Sequence, residues 1–402
     1  MILFTFSKKS VKKVGLALDI GSKTVGGALF EKDAAGKIKL LYTAREPIAF
    51  QKILTGKNLL SAMLRSLELV LVHLEKYGLA HLNLNSKVNY HLDTVAAVVS
   101  SPWHASETKT LKLTREKPFV VTEALIGNLL AKEEGDFTER QPGGQSHDPR
   151  PDVLEHKIFE MRLNGYPTAD PFGKKASQLE LSIFTSLAIK SLIEKTQTLI
   201  SRHFPLSRLQ WHTFSLTAFA SIRDSFPDIE DFLVVEVGGE VTDVTIAKKG
   251  ILAEAVSFPL GHNGLLRALD RICNNHPECA LDALLKLHRQ AKLNSADKDK
   301  VERAIANAEI SWLKFFNDAI SNFSAETFLP RTVFLFEDGP YASIFEEFIK
   351  SAESSQLAAT EPFTVKTGDD IWAAFAAPGQ PLAADAVLAM EADFAARFEN
   401  RP

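Results

Sequence analysis

Val14-Gly15-Leu16-Ala17-Leu18-Asp19-Ile20-Gly21-Ser22-Lys23-Thr24 is an apolar run that ends on an acid and turns through glycine and small hydroxyl residues. Far downstream the pattern recurs as Asp231-Phe232-Leu233-Val234-Val235-Glu236-Val237-Gly238-Gly239-Glu240-Val241-Thr242-Asp243-Val244-Thr245. Each reads as a strand, a glycine turn and a returning strand. The runs are short and β-branched, as buried strands are. Asp19 and Glu236 stand where their strands approach the glycines, a place from which a carboxylate reaches a hydrated metal ion. Glycines followed by Ser or Thr let backbone N–H groups and a hydroxyl approach phosphate oxygens, because no Cβ blocks the way. One such hairpin is a common turn; two, facing one another, would grip a nucleotide.

These residues resemble the actin-like ATPase superfamily, the group that holds actin, heat-shock chaperones and sugar kinases. Within it they are most similar to the FtsA and PilM group of bacterial division and pilus proteins. There the first hairpin reads Asp-Ile-Gly followed by small hydroxyl residues, and the second Asp-x-Gly-Gly-Gly-Thr-Thr-Asp. Thr168-Ala169-Asp170-Pro171-Phe172-Gly173, followed by Gln178-Leu179-Glu180-Leu181, is similar to the Asp-Pro-x-Gly and next strand of a small subdomain inserted in the first lobe of that group. Actin and sugar kinases lack that insert.

The resemblance implies an α/β, actin-like (ribonuclease H-like) two-lobed fold with an inserted small α+β subdomain of SHS2 type. The first lobe would take residues 1–100 and 186–229, with the insert at 101–185. The second would take 230–264 and 326–402, with a helical subdomain at 265–325. The implied cofactors are ATP and Mg²⁺. Asp19 would hold the metal through water, and Asp19 and Glu236 would be the catalytic carboxylates. Gly21, Ser22, Lys23 and Thr24 would bind the phosphates, and Gly238 and Gly239 their opposite side. Thr242 and Asp243 would close the far end of the second turn, and Gly339 would sit in the adenosine turn.

Three departures bear on that site. Glu240 stands in place of the third glycine, where a carboxylate repels phosphate by several kcal/mol in a poorly hydrated cleft unless a metal or Lys23 offsets it. Glu337 and Asp338 replace glycines of the adenosine turn, leaving Gly339. The lysine and hydroxyl of the first turn, Lys23 and Thr24, are exchanged relative to the group. Two readings follow: an ATP-binding protein of weak ATPase activity at most, or a pseudo-ATPase that keeps the fold for protein interaction.

At 402 residues the chain suffices for about two or three domains. Hydrophobic residues at 45% and charged residues at 24% are ordinary globular usage, which excludes a disordered or fibrous protein. The net charge of −4 offers no footprint for nucleic acid. Cys273 and Cys279 lack a second pair at zinc spacing, and a reducing cytoplasm fits them. No apolar stretch reaches the length of a membrane span. The start, Met1 to Phe6 followed by Lys8, Lys9, Lys12 and Lys13, puts apolar before basic, the reverse of a secretory signal. It reads as a terminus or first strand, or as a weak contact with an anionic membrane.

Along the chain, the strands near residues 14–42 read as a meander and Leu59 to Tyr77 as a covering helix. Thr94–Ser100, Thr108–Leu113 and Val153–Leu163 read as strands, Thr122–Glu134 as a helix and Gly135–Asp152 as a polar loop. Leu187–His203 reads as an amphipathic helix, and 265–325 as almost wholly helical. Arg331–Pro340 reads as a buried strand into a turn, followed by a helix over Ser343–Ser351. The phenylalanines Phe315, Phe316, Phe323 and Phe328 read as core. His104, His147, His156, His203 and His212 lack ligand spacing, and Ser182, Ser215 and Ser221 lack a nucleophile-elbow context.

The leading expectation is an FtsA-like scaffold that recruits cell-division proteins at the inner face of the membrane. Its alternative is a PilM-like type IV pilus platform that receives a short tail of a membrane protein. The Asp-Pro-x-Gly stretch favours the first. The acidic end, Ala389 to Glu399, favours the second, because FtsA ends in a basic amphipathic helix. Homo-oligomers or filaments fit either. A metabolic kinase would need an intact adenosine turn, which is missing.

Overall fold

The computed structural model describes residues 10–33, 35–51, 53–86, 88–140, 151–205, 209–270, 295–321, 329–337, 341–352, 362–377, 379 and 385–398. β1 (Ser10–Ile20), β2 (Thr24–Lys32) and β3 (Ile38–Pro47) form the expected antiparallel meander. α1 (Gly56–His73) opens with Thr55, whose side chain accepts from Asn58 N, a standard cap. It buries Met63, Leu67, Val70, Leu71 and, in the following turn, Leu74, the spacing of one helical face. The expected single helix to Tyr77 is instead α1, a π-helical turn over Leu74–Leu79, and α2 (Ala80–Asn85). The extra residue of a π turn is invisible to a 3.6-residue period. β4 (Val88–Val99) then runs parallel to β1.

The chain next builds a separate sheet from β5 (His104–Val120), β6 (Asp152–Leu163), β7 (Tyr166–Pro167) and β8 (Lys175–Ala188), in the order β5-β8-β6-β7. α3 (Glu123–Arg140) covers it through Ile126, Leu129 and Leu130, which pack with Leu179, Leu181 and Ile183. Two boundaries move. α3 continues to Arg140, through residues read as loop, because Phe137 is buried and Arg140 reaches Glu107 and Glu133. Leu187 and Ala188, read as helix, remain in β8, and α4 (Lys190–His203) starts after them. Sheet pairing with Ala105 and His104 overrides helical spacing there.

β9 (Leu209–Thr213) joins the first sheet, and α5 (Phe214–Ser225) leads to the second hairpin. β10 (Phe232–Val237), β11 (Thr242–Lys248) and β12 (Ile251–Phe258) form another meander. α6 (His262–Asp270), α7 (Ser295–Ser321), β13 (Thr332–Phe336), α8 (Ala342–Ser351), β14 (Thr364–Lys366), α9 (Gly368–Phe375) and α10 (Ala386–Phe398) complete the chain. The helical reading of 271–294 and 322–325, with Cys273, Cys279 and Phe323, lies outside the described residues, as do Phe328 and His147. Phe316 is core, but Phe315 is 40% exposed and stacks on Phe258.

The two five-stranded sheets repeat one topology. β3-β2-β1-β4-β9 and β12-β11-β10-β13-β14 each join an antiparallel meander to two parallel strands. The structure divides into two units. One gathers the described parts of Met1–Val99, Glu194–Ser221 and Asp369–Pro402, and the other those of Ser100–Ile193 and Ile222–Gly368. In the first unit α10 lies on β1, burying Leu388, Met390 and Phe394. In the second, Trp312, Phe316, Phe345 and Phe348 form the centre of the core beside β10, β11 and β13. A fully buried side chain of this size contributes about 1.5–3 kcal/mol.

Candidate functional site: two acidic hairpins and their counter-ions

In the first unit, Asp19 lies one residue before the end of β1, and the strand turns back through Gly21–Thr24. Gly21 N–H donates to Thr24 O at 3.2 Å, so this amide closes its own turn. Ser22 is buried, while Lys23 is half-buried and its carbonyl accepts from Ile48 N at 2.8 Å. The Asp19 side chain is 10% exposed and its carboxylate faces a cation of the chain itself. Arg45 Nη1, from β3, donates to Asp19 Oδ2 at 2.7 Å and to Thr24 Oγ1 at 2.7 Å, and Arg45 Nε donates to Asp385 Oδ2. Gly26 makes room for this, since a Cβ there would lie 2.8 Å from the guanidinium carbon.

In the second unit, Gly238 N–H donates to Val241 O at 3.0 Å, closing the turn as Gly21 closes the first. The carbonyls of Gly238 and Gly239 then accept from His262 N and Asn263 N, at 2.9 and 2.8 Å. These are amides of the first turn of α6, which a helix cannot satisfy internally. Gly261 permits the contact, because a Cβ there would meet Gly238 O at 2.4 Å. Glu240 points into the same element. Its carboxylate accepts a fork from Arg267 Nη1 and Nη2, both at 2.8 Å, and a third bond from Asn263 Nδ2 at 2.8 Å. The charge expected to need a metal or Lys23 is therefore offset by Arg267.

Thr242 is fully buried; its hydroxyl donates to Leu260 O at 2.7 Å and accepts from Trp312 Nε1 at 3.2 Å. Asp243 pairs across the ladder with Glu236 and accepts from Ser101 Oγ at 2.8 Å and from Ser257 Oγ. His104 is buried beside Asp243 and Glu155. Burial pushes its pKa down, against the opposing pull of the two carboxylates. Glu337, expected to project into the adenosine turn, is buried and lies 3.2 Å from His262 Nδ1. Burial and the Glu337 charge push the Tyr341 phenol up to about 12. Asp338 and Gly339 lie outside the described residues.

Among the described residues, Asp19 does not fit a water-bridged Mg²⁺, and Gly21 N, Gly238 N and Glu240 do not fit phosphate oxygens. The carboxylate assigned to the metal already holds a guanidinium, the leading glycine amide of each hairpin closes its own turn, and the Glu240 carboxylate is forked to α6. The sequence reading missed Arg45, Asp385, Asn263, Arg267, Ser101, Ser257 and His262. Asn263 and Arg267 carried a signal, being four apart and so on one helix face. Arg45 carried none, because only the β2–β3 register sets it opposite Gly26.

No protein-family model matches this chain, and no curated protein matches it in sequence. Solved structures do match. A chain of a PilM-PilN type IV pilus biogenesis complex superposes with a TM-score of 0.64 at 12% identity, covering 96% of this chain and 99% of that one. The ethanolamine utilization protein EutJ from Carboxydothermus hydrogenoformans gives 0.45 at 11% identity, over 95% and 89%. A protein of actin-like ATPase fold from Bacteroides thetaiotaomicron gives 0.33 at 12%, over 87% and 91%. With paired sheets of one topology, an inserted α+β sheet and a match spanning nearly all of both chains, this chain has the actin-like ATPase fold in the form that PilM takes.

Proposed function

We propose that the chain is a PilM-like assembly platform of a type IV pilus machine, attached to the inner face of the membrane through its partners. The observation that carries this reading is the match in fold to the PilM-PilN complex over 96% of the chain, inserted sheet included. In this reading the inserted sheet receives a short cytoplasmic tail of a membrane protein. β5 ends the strand order β5-β8-β6-β7, and an edge strand offers its outer N–H and C=O groups to an extended peptide. No turnover is assigned to Asp19 or Glu236, since a platform works by binding.

The test is deletion of the gene in its host, scored for surface pili and for cell length. Loss of pili at normal cell length is the expected result. Filamentous cells that keep their pili would move the chain to the division role, which uses the same fold. Cells normal in both respects would sink both readings.

A further inference from the structure

We propose that this chain carries its own cations: Arg45 is the built-in counter-ion of Asp19, and the first hairpin takes no divalent metal. Four observations converge. The Arg45 and Asp19 side chains are 19% and 10% exposed, so the pair is largely withdrawn from water. The same guanidinium holds Thr24 Oγ1, the hydroxyl of the returning strand, and Asp385 just before α10. It therefore ties the turn to two elements. Its space is built into the sheet: Gly26, its cross-strand partner, is the residue that leaves the face open for it. Finally, the second hairpin also neutralises a carboxylate with an arginine, at a different position: Glu240, in the turn itself, is forked by Arg267.

The chemistry follows from charge and geometry. A divalent cation approaching Asp19 would meet a fixed positive charge within hydrogen-bond distance of the same carboxylate, in a poorly solvated place where repulsion is weakly screened. A guanidinium is planar, always charged and multiply bonding, so it neutralises two carboxylates and orients a hydroxyl at once. An actin-like hairpin that brings its own cation is organised without nucleotide or metal, whichever assembly the protein serves.

The experiment measures Mn²⁺ binding by electron paramagnetic resonance, with and without ATP, and thermal unfolding across Mg²⁺ concentrations and in EDTA. It compares wild type, Arg45→Met, Asp19→Asn and the double variant. The wild type is expected to bind no Mn²⁺ and to melt at one temperature with Mg²⁺ or EDTA. Arg45→Met, which leaves Asp19 and Asp385 without their shared cation, is expected to melt lower and to regain several degrees with Mg²⁺. The double variant should lose that gain. Saturable Mn²⁺ binding by wild type, with or without ATP, that Asp19→Asn abolishes would overturn the proposal. So would a folded Arg45→Met that gains no response to metal. If Arg45→Met does not fold, the wild-type and Asp19→Asn binding data decide alone. None of these readings depends on the partner, so this test fails or succeeds separately from the pilus proposal.

Discussion

His104 opens β5, and neither ring nitrogen has a hydrogen-bond partner among the described residues. It is buried near Asp243, whose Oδ1 is held by Ser101 and Ser257, and near Glu155. Burial disfavours the imidazolium more than the two carboxylates favour it, so the folded pKa lies below the ordinary 6.5. For a base whose folded pKa is depressed, stability is full above the unfolded value. It is lost as pH falls below about 6.5, because only the unfolded chain takes up the proton there. One such site gives a limiting slope of about 1.4 kcal/mol per pH unit. Urea midpoints measured from neutral pH down to pH 5 should fall faster for wild type than for His104→Leu. Parallel curves would show that His104 is not held neutral.

α6 is an element whose first turn is used internally. Helix N-termini carry unsatisfied amides and favour anions. Here the anions and acceptors come from the chain: the Gly238 and Gly239 carbonyls, Glu240 and Glu337. The Glu240 side chain is 4% exposed, while that of Arg267 is 31% exposed. Removing the cation strands a buried carboxylate, so Arg267→Met should destabilise by ~3 kcal/mol, the low end of the usual range because Arg267 is partly solvated. Adding Glu240→Gln should recover part of that loss, which a double-mutant cycle in urea measures. Purely additive effects would show that the fork contributes little.

At the scale of the whole molecule, an actin-like chain with arginine counter-ions should serve as a platform without metal. Asp19→Asn, expressed in a deletion strain, should restore pili to at least half the wild-type level. Loss of pili at normal protein abundance would tie the role to Asp19 chemistry instead. The sequence by itself determined the two hairpins, the longer strands of the inserted sheet and the places of Asp19, Glu236 and the described glycines at the hairpin turns. These are local patterns of apolar period, β-branching and turn residues, each complete within a few neighbours. Only the tertiary structure decided what those acids face. Arg45 reaches Asp19 through the register of β3, Asp385 arrives from the far end of the chain, and Ser101 meets Asp243 across more than a hundred residues. Charge pairing leaves no periodic trace, so a carboxylate at a glycine turn reads alike whether a metal or an arginine neutralises it.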